Sequence, residues 1–324
     1  MTSPCCVGGS DPQDVPLTLH PLASSAPEPH PFAASAPSYR GQVRIPGGVH
    51  GLGDHFDEGY PHDGEGPVRP VRLPAYRMDE TTVTNAAFAR FVKETGWTTM
   101  AERLGTSMVF HLAYAGPAGY VAGQPRETPW WLLVRGADWR RPEGPGSDIA
   151  HRQNHPVVHV SHEDALAYCA WAGKRLPTEA EWEAAARGGL VGKRYVWGDD
   201  FRPRGRWMAN TFDGEFPDRS SGESGWLTTA PVKTYSPNGY GLWQMAGNVW
   251  EWCSDWFSAA HPDPGSDGVT EAPTGPARGA TRVMRGGSYL CHESYCNRYR
   301  VAGRSSAAPD STSGNLGFRC ANDG

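Results

Sequence analysis

The segment Arg285-Gly286-Gly287-Ser288-Tyr289-Leu290-Cys291-His292-Glu293-Ser294-Tyr295-Cys296-Asn297-Arg298-Tyr299-Arg300 concentrates the residue types that do chemistry. Cys291 and Cys296 stand five apart, with a hydroxyl, an imidazole and phenols beside them. Two thiolates suit a soft ion such as Cu(I), or form a redox-active pair. A local disulfide and two inert buried thiols are the plainer alternatives. A structural zinc site is disfavoured, because no second cysteine pair with the usual spacing accompanies this one. His151, His155, His159 and His162 invite a metal reading, but Pro156 forbids a helix running on past His155. The stretch Pro156–Val160 instead suggests a strand with Val158 and Val160 on one face and His159 on the other. These histidines are therefore expected at the surface and near a helix cap. Gly189-Leu190-Val191-Gly192-Lys193 falls short of phosphate-loop spacing. Oxygen ligands for a hard cation gather in Asn210 and the acidic run Asp213, Glu215, Asp218 and Glu223, and again in Gln244–Glu251. Solvated turns are the alternative for both.

These residues need elements to position them. Thr84 reads as the N-cap of a helix carrying Phe88, Phe91 and Val92 and ending at Gly96. Ser161-His162-Glu163-Asp164 reads as a capping box before a helix stopped by Gly173, and Thr178-Glu179-Ala180-Glu181 as another, stopped by Gly188. Val43–Pro46 and Val68–Leu73 alternate weakly, as short strands do. Elsewhere breakers dominate: 40 glycines and 29 prolines in 324 residues exclude bundles, coiled coils and parallel α/β sheets. Residues 1–40 are Pro-rich, without apolar periodicity, and read as a disordered tail holding Cys5 and Cys6. One domain is expected over 41–324. No apolar run is long enough for a membrane helix. A net charge of −5 without a basic block argues against a nucleic-acid partner. Seven cysteines, odd and sparse, do not make a disulfide framework. The N-terminus shows no basic region followed by an apolar one, so a cytoplasmic protein is expected.

Linked motifs make the chain similar to the formylglycine-generating enzymes, or sulfatase-modifying factors, over about residues 41–321. They are Lys174–Glu183, Ala209-Asn210 with Gly214–Pro217, Pro237–Leu242, Gly247–Trp252, the cysteine segment, and Asn315–Cys320. Some recur in a broader superfamily; Gly287-Ser288-Tyr289-x-Cys291-His292-x-Ser294-Tyr295-Cys296 discriminates. The resemblance implies an α+β fold, a large variant of the C-type lectin-like type, with about three short helices and little regular structure. It implies O2-dependent conversion of a cysteine, within Cys-x-Pro-x-Arg of an unfolded sulfatase, to Cα-formylglycine. Cys291 and Cys296 would hold Cu(I). Ser288 and Asn315 would line the pocket, Tyr295 would donate a hydrogen bond, and Trp250 would shape the wall. Arg304 would bring positive charge to the substrate, and His292, beside a ligand, would be a second substrate-binding residue. Structural calcium would be held at Asn210, Thr211, Ser224 and Trp226, with Ser224 replacing the family's usual Asp. A second ion would sit at Gln244, Gly247, Val249 and Glu251, with Gln244 in place of Asn. Cys169 and Cys320 match a disulfide pair of some relatives; a second pair is replaced here by Ala186 and Val301. A monomer is expected. Two rival readings remain, a non-haem iron sulfoxide synthase and a non-catalytic lectin-like peptide-binding module.

Overall fold

The computed structural model describes residues 36–324, so most of the expected tail, with Cys5 and Cys6, lies outside the described residues. The three helices form where the caps place them. In α1 (Asn85–Thr95) the Thr84 side chain accepts from the Ala87 amide, and Gly96 closes the helix in the left-handed region. Capping boxes open α3 (His162–Ala172) through Ser161 and Asp164, and α4 (Glu179–Arg187) through Thr178 and Glu181. A fourth, α2 (Met100–Leu104), follows a Thr99/Glu102 capping box that sequence reading passed over. Apart from three short 3-10 helices among the described residues, the remaining regular structure is short strands in small sheets, which makes this an α+β fold.

A four-stranded sheet organises the rest. Its order is Arg304–Ala307, Arg282–Arg285, Trp250–Trp256, Leu316–Gly317, antiparallel except for the last pair. Arg285 lies opposite Arg304, so residues 286–303, with both cysteines, form the connection between two adjacent strands. Trp250 opens the neighbouring strand, where its amide donates to the Asn315 carbonyl at 2.8 Å. Helix α4 packs beside this sheet and buries Trp182, Ala184, Ala185 and Ala186 with Ile45, Met78, Cys253 and Val283. A second core gathers Phe88, Phe91, Trp250, Trp252 and Phe318 around Cys291 and Cys296.

The strand expected over 156–160 does not form, and its histidines are not at the surface. The Val157 amide donates to Val83, and the His159 amide to Ser313, two different parts of the chain. His159 also takes a positive φ of 60°, which breaks an extended run. Val157, Val158, Val160, His155, His159 and His162 are all buried. Each of those histidines has its own partner: Thr229 Oγ1 for His155, Ser107 Oγ and the Pro142 carbonyl for His159, the Cys253 carbonyl for His162. His151 is exposed.

Candidate active site

The chain leaves its strand after Arg285 through Gly286 and Gly287, at φ 95° and 72°. A Cβ on Gly287 would meet the Tyr299 amide nitrogen at 3.0 Å and the Arg298 carbonyl at 3.1 Å. Only glycine combines that conformation with that approach. The turn then folds over itself: the Cys291 amide donates to Ser288 O and the Cys296 amide to His292 O, at 3.0 and 2.7 Å. Both thiols are fully buried, with Sγ atoms 3.3 Å apart. All five described cysteines are thiols, among them Cys169 and Cys320, whose Sγ atoms are 3.5 Å apart.

Behind the pair runs a polar relay. The Ser288 amide donates to Cys291 Sγ at 3.4 Å. Asn315 Nδ2 donates to Ser288 Oγ at 3.0 Å, while Asn315 Oδ1 accepts from Ser313 Oγ at 2.7 Å. Ser288 Oγ also accepts from the Leu290 amide, which leaves its own proton to donate. Trp250 lies in the same apolar cluster as the cysteines, and its Nε1 is buried with no hydrogen-bond partner among the described residues.

In front of the pair is a cavity of about 370 Å³ lined by Cys291, His292, Phe201, Phe212, Trp207 and Tyr299 among others. His292 Nδ1 contacts Ser294 Oγ at 2.8 Å, and its ring meets Phe212 edge-on. Tyr295 stacks on Phe216 with centroids 4.7 Å apart and stands edge-on to Trp130. Burial pushes the Tyr299 phenol well up, and the two cysteines add to the effect, so that phenol is a hydrogen-bond donor rather than a base. This aromatic wall escaped sequence reading. Its members come from three parts of the chain, Trp130, residues 201–216 and residues 292–299, which no spacing links.

Arg304 is not on this cavity. It is buried in a fork with Glu179 at 2.5 and 2.8 Å and donates to the Asp63, Gly64 and Ser258 carbonyls. Its charge is already neutralised there, which corrects its expected place beside the substrate.

The candidate calcium residues divide. Asn210 Oδ1, Thr211 Oγ1 and Gln244 Oε1 are buried oxygens without a hydrogen-bond partner among the described residues, and such orphans fit a hard cation. Ser224 Oγ reaches the Trp226 carbonyl, and the Ser224 amide donates to Asp213 at 2.6 Å. Asp213 also holds Ser220 Oγ, so it staples this loop. Gly247 bridges to Asn210, and Val249 is buried beside it. Glu251 departs from expectation. Both its carboxylate oxygens fork onto Arg319 at 2.7 and 2.8 Å, and Trp182 Nε1 adds a third bond at 2.7 Å. That carboxylate is committed to the core.

Residues 27–324 match the family described as "Sulfatase-modifying factor enzyme 1-like domain". A "Formylglycine-generating enzyme" of Streptomyces coelicolor is 63% identical over 303 residues, covering 94% of this chain and 95% of that protein. One from Thermomonospora curvata is 55% identical, covering 88% and 94%. Among solved structures, PvdO from Pseudomonas aeruginosa shares the fold, with a TM-score of 0.60 at 21% identity and coverage of 87% and 94%. With identity this high over nearly its whole length, the chain belongs to the sulfatase-modifying factor family, the family of the formylglycine-generating enzymes.

Proposed function

We propose that this protein converts the cysteine of a Cys-x-Pro-x-Arg motif in unfolded sulfatases to Cα-formylglycine, using O2 and a copper ion held by Cys291 and Cys296. The observation that carries the reading is the pair of buried thiols 3.3 Å apart, one of which, Cys291, lines a cavity of about 370 Å³. Such a donor set fits Cu(I), which when bound supplies a soft, one-electron-active centre for the oxidation. The net change removes two hydrogens from the substrate thiol and its Cβ. Water then replaces sulfur as the thioaldehyde becomes an aldehyde and sulfide. Reducing O2 to water takes four electrons, of which the substrate gives two, so an external thiol reductant supplies the other two.

The chain's own residues prepare that chemistry. The Ser288 amide is aimed at Cys291 Sγ and donates to it. Asn315 fixes Ser288 so that its hydroxyl proton is available for donation towards the pocket. The rings of Phe201, Trp207, Phe212 and Tyr299 line the cavity beside Cys291 and limit water there, with Phe216, Tyr295 and Trp130 packed against Phe212 from outside it. Calcium, one ion held through Asn210 and Thr211 and a second through Gln244, would fix the loops that carry those residues.

The test is incubation of the copper-loaded protein with a Cys-x-Pro-x-Arg peptide, air and a thiol, followed by capture of the aldehyde as an oxime. Aldehyde forms with the native protein and is abolished in Cys296→Ala, whose thermal unfolding stays cooperative. An unchanged rate in Cys296→Ala refutes the assignment.

A further inference from the structure

Tyr289 and Gly314 are the chain neighbours of Ser288 and Asn315, whose side chains bond to each other. Both also line a small cavity, together with Asn85, Pro142, Glu143 and Arg152 among others. It shares no lining residue with the cavity beside Cys291. It leaves about 10 Å³ for the centre of a water-sized sphere. That is room for one water and too little for any organic ligand.

Three polar residues on its walls have hydrogen-bonding capacity left over. Asn85, the first residue of α1, donates through Nδ2 to the Arg152 carbonyl at 2.8 Å. Its Oδ1 is buried with no partner among the described residues. Glu143 accepts from Arg152 through Oε1, and its Oε2 is likewise buried without a partner there. The Tyr289 amide donates to the Asn248 carbonyl, whereas its phenol makes no hydrogen bond among the described residues. Burial, with the Glu143 charge adding to it, pushes that phenol well above its ordinary pKa. The phenol therefore keeps its proton and can donate it. Two acceptors and one donor around a space this small define what fits. Buried polar groups are nearly always satisfied by protein or by ordered water. One water donating to Asn85 Oδ1 and Glu143 Oε2, and accepting from the Tyr289 phenol, satisfies all three. Three bonds are also the usual number for a buried water. A monovalent cation fits less well: Arg152 already balances the Glu143 charge, and a cation cannot accept the phenol proton.

We propose that this cavity is the site of one structural water, which joins Tyr289 of the cysteine connection to Asn85 at the start of α1 and to Glu143. The residue after Ser288 is thereby tied to two distant segments. The site is separate from the oxidation chemistry, and its test uses no turnover.

The experiment is a crystal structure of the full chain, grown with rubidium as the monovalent cation and at a resolution that shows ordered water. Oxygen-17 relaxation dispersion accompanies it in solution. The expected result is a single peak without rubidium's anomalous signal, within hydrogen-bonding distance of Asn85 Oδ1, Glu143 Oε2 and the Tyr289 phenol. In solution, Tyr289→Phe keeps the ring and removes the donor. Losing one of three bonds shortens the water's residence about tenfold, so the count of long-lived internal waters falls by one. An anomalous peak assigns the cavity to a cation and overturns the proposal. So does the lack of a peak, or one out of reach of any of the three groups. An equal count of long-lived waters in the native protein and the folded variant also overturns it. Should Tyr289→Phe not fold, the native crystal decides the question.

Discussion

His159 offers a quantitative check on how the site is supported. Its ring is fully buried between Ser107 Oγ at 2.7 Å and the Pro142 carbonyl at 2.8 Å, and its amide donates to Ser313 at 2.9 Å. A carbonyl only accepts, so Nε2 carries the proton and Nδ1 accepts from the serine. Ser313 is the residue whose hydroxyl holds Asn315 Oδ1, which places His159 directly behind the cysteine relay. Burial takes the His159 pKa from 6.5 to about 4. Between those values the unfolded chain binds the extra proton and the folded chain does not, so stability is complete above 6.5 and falls as pH drops towards 4. For those two pKa values, moving from pH 8 to pH 5 removes about 2 kcal/mol. Other groups titrate in the same window: His162, held at about 3, with the same sign, and Asp255, raised to about 7, with the opposite one. The comparison is therefore made against His159→Gln at each pH by urea unfolding, where those contributions are common to both proteins. The variant is less stable at pH 8, and the gap narrows by about 2 kcal/mol at pH 5. A gap of the same size at both pH values would refute the argument that His159 is held neutral by burial.

Three further perturbations follow from the geometry. Gly287→Ala, forced to keep a φ of 72° against the Tyr299 amide, should lose about 2 kcal/mol in denaturant unfolding; a loss below about 0.5 kcal/mol means the turn can relax. Glu251→Gln breaks a fully buried fork with Arg319 and should destabilise by about 3 kcal/mol, whereas a calcium-ligand role for this carboxylate predicts a penalty that vanishes once calcium is removed. Chelating calcium should lower the thermal midpoint of the native protein. Asn210→Ala should shrink that shift, because its Oδ1 is the orphaned oxygen, and an identical shift in both proteins counts against a cation there.

Much of this molecule is legible in its sequence wherever the determinant is local. The caps at Thr84, Ser161 and Thr178 each act within three residues, so reading them needs no knowledge of the fold. The same signal existed at Thr99 and Glu102, closed by Gly105, but the five residues of α2 are too few to show an apolar stripe. The histidines were misread for the opposite reason. Alternation assumes that a segment's backbone bonds run along one partner strand, whereas Val157 and His159 bond to Val83 and Ser313. The cysteine pair stands out through its five-residue spacing, and the motif around it, Gly287–Cys296, is what singles it out; the rings near it are not legible, because Trp130 meets Tyr295 and Phe201 meets Tyr299 only after folding.

Arg304 shows what such long-range pairing does for the site. The cysteine connection, 286–303, has almost no regular structure of its own, yet both ends and its last third are fixed by arginines. Arg285 and Arg304 at its ends hold Glu179 and Glu183 of α4. Arg298 reaches Asp63 at 2.5 Å, and Arg300 forks onto Glu65 at 2.7 and 2.9 Å. All four arginines are buried. Apolar residues of similar volume would often give equal or greater stability, but without directional partners. A guanidinium fork fixes the angle as well as the position of the backbone that carries it. That angular control acts on the irregular connection that carries the two thiols, whose Sγ atoms lie 3.3 Å apart. The charge expected to greet the substrate therefore holds the frame in which the two sulfurs meet.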